Sequence, residues 1–446
     1  MSSSYETIDD TAHLSIKYTH LYAINGRLTF LTVDSLDIPY VAKWTTCYFW
    51  RPEIMTFSSY EELTAYISSL NIVNNIDLAV YGDMEWCHNI GHALFDGLYP
   101  MYTALVKFGY KDTPFTTLTN INLDDVGHNM AADIVTRFSG HAPLQYAKLD
   151  RSIVYHFGTV IAGTNNTGNR VITKEYTLYG EAEFGALTAF KERMYRVYDL
   201  PVDAPCGKSP NAIIVHNKRY SSTELGVLKQ LCMHSETLRY IDWQEYPSFY
   251  EQLKIISTTD IHITGPGTGM MYMPFLKRGA VNINVGYIER TQTNGARPNL
   301  FISNTTIPDF ILPAFLEQSV CAGARYVNTI YYDRYTYNSI EYEPLSDILN
   351  RANQLIGNAV GNNLHVDALI FKEYCKRATH PQEICDHLTN IALMIELFVH
   401  EHPDAVLQSF VDIDLLRTIK HEFNYGTKYD IVPLLMKTNM PMCYRK

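Results

Sequence analysis

Ile261-His262-Ile263-Thr264-Gly265-Pro266-Gly267-Thr268-Gly269 is the stretch on which the fold turns. A short apolar run breaks into a loop rich in glycine, and the spacing after it predicts a helix over 270–276. The same alternation runs outward in both directions. Upstream, residues 212–216 read as a buried strand, and Ser222 and Thr223 start a helix to about 232. Residues 238–241 read as a strand and 247–257 as a helix, with Pro247 in the first turn, where its missing N–H costs nothing. Residues 260–264 form the strand before the loop and 280–285 the strand after it. Strands alternating with helices of this size imply a parallel, doubly wound α/β sheet. Ligands in such sheets bind beyond the carboxyl ends of the strands. Gly265, Gly267 and Gly269 let a backbone approach a ligand closely, and N–H groups at a helix start favour an anion. A diphosphate fits, and Thr268 adds a hydroxyl donor. The loop lacks GxGxxG spacing and no Lys follows as in a P-loop, so dinucleotide and ATP sites do not fit. The plainer alternative is an ordinary strand-to-helix turn.

Lys218 and Arg219 follow the strand at 212–216, on the same sheet edge. A guanidinium there can neutralise a diphosphate through charge-assisted hydrogen bonds, whereas Lys218 reads as a solvated surface cation. Glu245, past the strand at 238–241, is placed to bind ribose hydroxyls. Ser248 stands at the next helix start, where capping competes with ligand binding.

The chain has 446 residues, 46% of them hydrophobic, which suits more than one core. The segment 201–210 is rich in Pro, Gly, Asp and Ser and reads as a linker. It divides an N-terminal lobe at 1–200 from a nucleotide-binding lobe at 201–335. A helical C-terminal segment, 336–446, follows, with helical spacing at 367–375, 381–400 and 405–423. The formal net charge of -11 argues against nucleic acid or an anionic membrane surface as a general partner. No apolar run reaches the ~18 residues of a membrane span, and residues 1–10 are polar and acidic, without a signal pattern. The eight cysteines are scattered, as reduced thiols of a cytoplasmic protein would be. The sequons at Asn165 and Asn304 are then expected to be silent.

In the first half, strands are expected at 28–33, 47–50, 76–81, 115–118 and 152–157. Ser58 and Ser59 ahead of Glu61 and Glu62 predict a helix to about 70, and further helices are expected at 87–108 and 176–200. Within 87–108, Asn89, His92 and Asp96 recur at helical spacing and share one face. A His–carboxylate pair can serve as base and orienter; a satisfied core histidine is the plainer reading. His88, His92 and Asp96 at successive turns could instead ligate zinc in a metal-dependent hydrolase, although HExxH is absent. His380, Cys385, His387, His400 and His402 read as surface residues.

Asn89-Ile90-Gly91-His92-Ala93-Leu94-Phe95-Asp96 resembles the NxxHxxxD signature of glycosyltransferase family 61, which includes EGF-domain O-GlcNAc transferase and plant xylosyltransferases. The second half is similar in layout, with Arg219 after a strand and Glu245 ahead of Ser248-Phe249-Tyr250-Glu251-Gln252. The glycine loop, Phe275 and Gly279-Ala280 then follow. The sequence departs from the family at Pro266-Gly267-Thr268-Gly269, where HGAG is usual, and shows His216 where a second arginine is common. It also lacks the usual signal anchor, as a cytosolic or viral homologue would.

The resemblance implies a GT-B fold, two Rossmann-like lobes facing a cleft, with a UDP-sugar donor in the C-terminal lobe and a glycan or glycoprotein acceptor. It implies inversion without a required metal cofactor; Asp412-Ile413-Asp414 lies in a helical stretch and reads as surface. Asp96 is then the expected base, with His92 orienting it or acting itself and Asn89 holding the His or the acceptor. Arg219, Glu245, Ser248, Gly265, Gly267, Thr268 and Gly269 are the expected donor contacts. A non-catalytic nucleotide- or sugar-binding relative is the remaining alternative.

Overall fold

The computed structural model describes residues 1–9, 14–44, 48–163, 185–205, 209–265, 267–285, 324, 326–332 and 339–357. Pro266, both sequons, the start of the 176–200 helix, the helices expected beyond 366, the Asp412-Ile413-Asp414 triplet and the histidines from His380 onward lie outside them. The described chain is mixed α/β and divides into two compact units, one holding the described residues up to Asp199 and one those from Leu200 onward. Among the described residues no helix is long and apolar enough to cross a membrane. Among the described residues Cys87 and Cys232 form no disulfide.

The second unit is built on a five-stranded sheet in the order β12 (Leu238–Ile241), β11 (Ala212–Val215), β13 (Ile261–Thr264), β14 (Val281–Asn284), β15 (Asn328–Tyr331). Every pairing is parallel. β11, β13 and β14 are buried along their whole length, as strands covered on both faces must be. Side chains alternate in direction along a strand. Ile214, Ile261, Ile263, Val281 and Ile283 accordingly enter one core with Leu228 and Leu231 of the helix Ser222–Met233. That helix opens on a capping box in which Ser221 and Glu224 satisfy each other's backbone N–H. The helix Phe249–Ser257 does the same with Ser248 and Glu251. Pro247 therefore stands outside the helix it was expected to begin. The helix Tyr342–Leu355, expected in a separate C-terminal segment, packs Leu345 and Ala352 into this same core.

The first unit, where the resemblance implies a Rossmann-like lobe, mixes parallel and antiparallel strands. Its eight-stranded sheet runs β6 (Glu53–Thr56), β3 (Arg27–Thr32), β2 (Leu14–Ile24), β10 (Val154–Ala162), β7 (Ile72–Tyr81), β8 (Thr116–Thr119), β9 (Leu144–Gln145), with β1 (Ser4–Asp9) beside β2. β10, β7, β8 and β9 are mutually parallel, whereas β2 is antiparallel to β1, β3 and β10. The cause is local. Asn25 and Gly26, both at positive φ (51° and 75°), turn the chain straight back from β2 into β3, the two-residue hairpin that Asn-Gly favours. β4 (Val41–Trp44) and β5 (Tyr48–Trp50) form a separate antiparallel pair.

Outside the parallel strands, Phe95, Tyr99, Tyr102, Phe138 and Phe190 form one aromatic core. Arg193, on the helix Ala186–Val197, is buried among these rings. Its guanidinium donates to the carbonyls of Phe138 (2.8 Å), Lys111 (2.8 Å) and Thr113 (3.1 Å). Burial lowers its pKa. Arg193→Met is expected to cost about 3 kcal/mol, because several buried carbonyls lose charged donors at once. A urea midpoint unchanged by the substitution would refute that role.

Candidate functional site

In the first unit, β7 lies between β8 and β10, so the strand order reverses beside it, where α/β sheets place ligands. Residues 82–89 leave the carboxyl end of β7 and lead into a helix that starts as one α turn, Ile90–His92, widens into a π-helical stretch, Ala93–Leu98, and returns to α at Tyr99–Lys107. Such a π segment re-aims side chains and is frequent at functional sites. Here it carries Asp96 beneath His92, whose Nδ1 is hydrogen-bonded to Asp96 Oδ2. An ionised carboxylate accepts only, so a neutral imidazole in this pairing would carry its proton on Nδ1 and its lone pair on Nε2.

Exposure separates the two groups. The Asp96 side chain is 4% exposed and that of His92 33%. Asp96 thus stands behind the imidazole, and His92 is the member that can reach an external molecule. Asp96, which the sequence puts first as base, is thus the more buried member of the pair. Asn89 is the N-cap: its Oδ1 accepts from Gly91 N–H at 2.9 Å, which gives the amide oxygen a structural task. His88 is exposed. Among the described residues no three His, Cys, Asp or Glu side chains are grouped to share a metal ion, so the geometry lends no support to a His88/His92/Asp96 metal centre.

Two further clusters at this edge had no sequence signal, because their members are far apart in the chain. Asp83, 4% exposed, pairs with Lys43 at 2.8 Å, and Lys43 Nζ also lies 3.2 Å from Tyr146 OH. Burial works against the Lys43 charge, but the hydrogen bond and field of Asp83 outweigh it and hold the pKa above the usual lysine value. Beside them, Asn120 accepts from Met84 N–H (2.7 Å) and donates to Glu85 (2.6 Å), fixing the loop after β7.

In the second unit the order reverses between β11 and β13. The segment after β11 and the glycine loop after β13 meet there. A Cβ on Gly265 would stand 3.0 Å from Asn217 Nδ2, one on Gly267 would stand 2.8 Å from Arg219 Nη1, and one on Gly269 would stand 2.8 Å from Thr264 Oγ1. Gly267 also has φ 121°, a backbone that L side chains rarely adopt. Each glycine therefore admits a particular neighbour, and Arg219 and the loop, expected separately from the sequence, form one surface. Gly267, Thr268 and Gly269 are half-buried there. The helix expected at 270–276 is a 3-10 helix, Thr268–Phe275.

The remaining expected contacts divide. Lys218 is exposed, and Glu245 is exposed in a 3-10 turn after β12. Ser248 Oγ is engaged with Glu251, donating to its carboxylate at 2.7 Å and accepting from its N–H at 3.2 Å. Capping accounts for Ser248 without a ligand. His216, in the place of a family arginine, has Nδ1 2.6 Å from Tyr240 OH.

Beneath the loop lies His262, wholly buried at the middle of β13. Asn282 Nδ2 is directed to Met270 Sδ (3.6 Å), which leaves Asn282 Oδ1 to accept from His262 Nδ1 at 2.8 Å. His262 Nε2 is buried with no hydrogen-bond partner among the described residues, and burial lowers the pKa to about 4.

Compared with known proteins, the chain matches no family model and no curated protein.

Proposed function

We propose that the protein is an inverting, metal-independent glycosyltransferase of the GT-B type, moving a sugar from a UDP-sugar to a hydroxyl of a glycan or glycoprotein. The observation that carries this reading is the junction of Arg219 with the glycine loop at the reversal of strand order in the second sheet. A cation, close-packed backbone and the carboxyl ends of parallel strands together suit a nucleoside diphosphate. The NxxHxxxD segment adds a base already held by a carboxylate.

In this mechanism His92 Nε2 removes the proton of the acceptor hydroxyl as its oxygen attacks the anomeric carbon. The bond from that carbon to the diphosphate oxygen breaks, and its electron pair leaves with UDP. Attack opposite the leaving group inverts the configuration. Arg219 and the loop amides meet the charge that develops on the diphosphate, the task a divalent cation performs in metal-dependent transferases. Asp96 keeps the proton on Nδ1 and stabilises the imidazolium that forms.

Thermal unfolding of the full chain with UDP, GDP and their sugars tests the donor site, since a ligand of the folded state stabilises it by mass action. UDP is expected to raise the midpoint, and Arg219→Ala to weaken UDP binding by about 30-fold, the loss of a charge-assisted contact of about 2 kcal/mol. Unchanged UDP affinity in that variant would remove Arg219 from the site. No stabilisation by any nucleotide would remove the donor site itself.

A further inference from the structure

Trp86 combines an exposed side chain with a left-handed backbone. It lies in the loop after β7, and the residue is 57% exposed. Single exposed apolar residues are ordinary on protein surfaces, but this one has φ 54°. Bulky side chains avoid that region, at a cost of order 1–3 kcal/mol for a non-glycine residue. Its surroundings over-determine the conformation. Met84 and Cys87 on either side are buried. Asn120 accepts from Met84 N–H, and Trp86 C=O accepts from Asn89 N–H at 2.9 Å. The loop is thus pinned before and after Trp86, while the ring is turned outward. Burial gains nothing from that direction.

What the direction does achieve is proximity to His92. The two ring centroids are 5.4 Å apart, with planes inclined by 64°. A flat apolar surface therefore adjoins the imidazole that is hydrogen-bonded to Asp96. A pyranose has matching chemistry: a C–H face that packs on an aromatic ring and a rim of hydroxyls that can turn to a hydrogen-bond acceptor. Glu85 next in the chain and Asp96 behind His92 make the neighbourhood acidic, which disfavours a phosphorylated ligand and suits a neutral one.

We infer that Trp86 is a stacking platform for a neutral sugar ring, which presents a hydroxyl to His92. The inference rests on the glycosyltransferase reading and narrows it: the acceptor is a saccharide terminus, not the hydroxyl of a bare peptide. Trp86 determines acceptor specificity and takes no part in proton transfer.

The test uses the full chain labelled with 15N in its indoles. The Trp86 resonance is assigned by its loss in Trp86→Phe. Neutral oligosaccharides of xylose, N-acetylglucosamine and galactose, and a Ser/Thr-rich peptide without sugar, are then titrated separately. At least one oligosaccharide is expected to shift the Trp86 resonance, and the peptide is not. Trp86→Asn removes the ring but tolerates the left-handed backbone. It is expected to bind that oligosaccharide about tenfold more weakly, with UDP stabilisation unchanged, and Trp86→Phe to retain most of the affinity. A Trp86 resonance that no oligosaccharide moves, or that the peptide moves instead, overturns the inference. So does undiminished oligosaccharide binding by Trp86→Asn. UDP stabilisation reports separately on the donor site. Its absence alongside a shifted Trp86 resonance would end the transferase reading and leave the sugar platform standing.

Discussion

Asp96→Asn is expected to lower sugar transfer by about 10³–10⁴-fold while UDP binding persists, the scale on which a histidine base loses function when its orienting carboxylate is made an amide. An amide can donate to Nδ1 as readily as it accepts from it. The imidazole can then carry its proton on Nε2, where a base must have a lone pair. The charge that stabilises the imidazolium disappears at the same time. The measurement is UDP release from a UDP-sugar in the presence of saccharide acceptors, paired with a UDP thermal shift as a control for folding. Full turnover in the variant would show that the carboxylate has no part in the chemistry. The same comparison distinguishes the roles of the pair. Asp96 is nearly enclosed and His92 partly open, so an acceptor hydroxyl is expected to meet the imidazole.

The second large effect concerns acid stability. His262 is neutral in the folded protein down to about pH 4, against an ordinary value of 6.5. As pH falls from 6.5 to 4, the unfolded chain takes up a proton that the folded chain refuses. The folded state is therefore fully favoured above 6.5, loses ground through that window, and levels off below 4 as far as this group is concerned. The expected loss is about 3 kcal/mol in all, at up to about 1.4 kcal/mol per pH unit. Burial also lowers the pKa of His20 and His156 in the first unit, so the informative quantity is a difference in slope. Urea denaturation of the full chain across pH 4–7 should give a shallower dependence of stability on pH for His262→Asn, which does not titrate, than for the unsubstituted chain. Equal slopes would mean that His262 gains a proton in the folded protein as easily as in the unfolded one.

Some of the site was legible because its signals are short-range. His92 and Asp96 lie four residues apart, and any helical backbone brings that spacing to one side. Asp83 and Lys43, or Asn120 and Glu85, lie 40 and 35 positions apart in the chain, and no periodicity connects them. Asn25-Gly26 was readable as a hairpin turn, and reading it would have exposed the antiparallel half of the first sheet. Ser248 shows the opposite limit: family layout gave it a ligand, while the local capping pattern already accounted for its hydroxyl.

The sequence by itself determined the strand and helix alternation of the second unit. β12 runs from Leu238 to Ile241 as the apolar spacing requires, and β11 and β13 end where the loop residues begin. These are consequences of side-chain period and capping, which act over a few residues. Only the tertiary structure decided that Arg219 fills the space beside Gly267, that Asp96 is shielded and His92 partly open, that His262 is wholly buried, and that Trp86 is exposed. Those outcomes depend on which distant strands become neighbours and on what is desolvated when they do, and a linear pattern of residues carries neither.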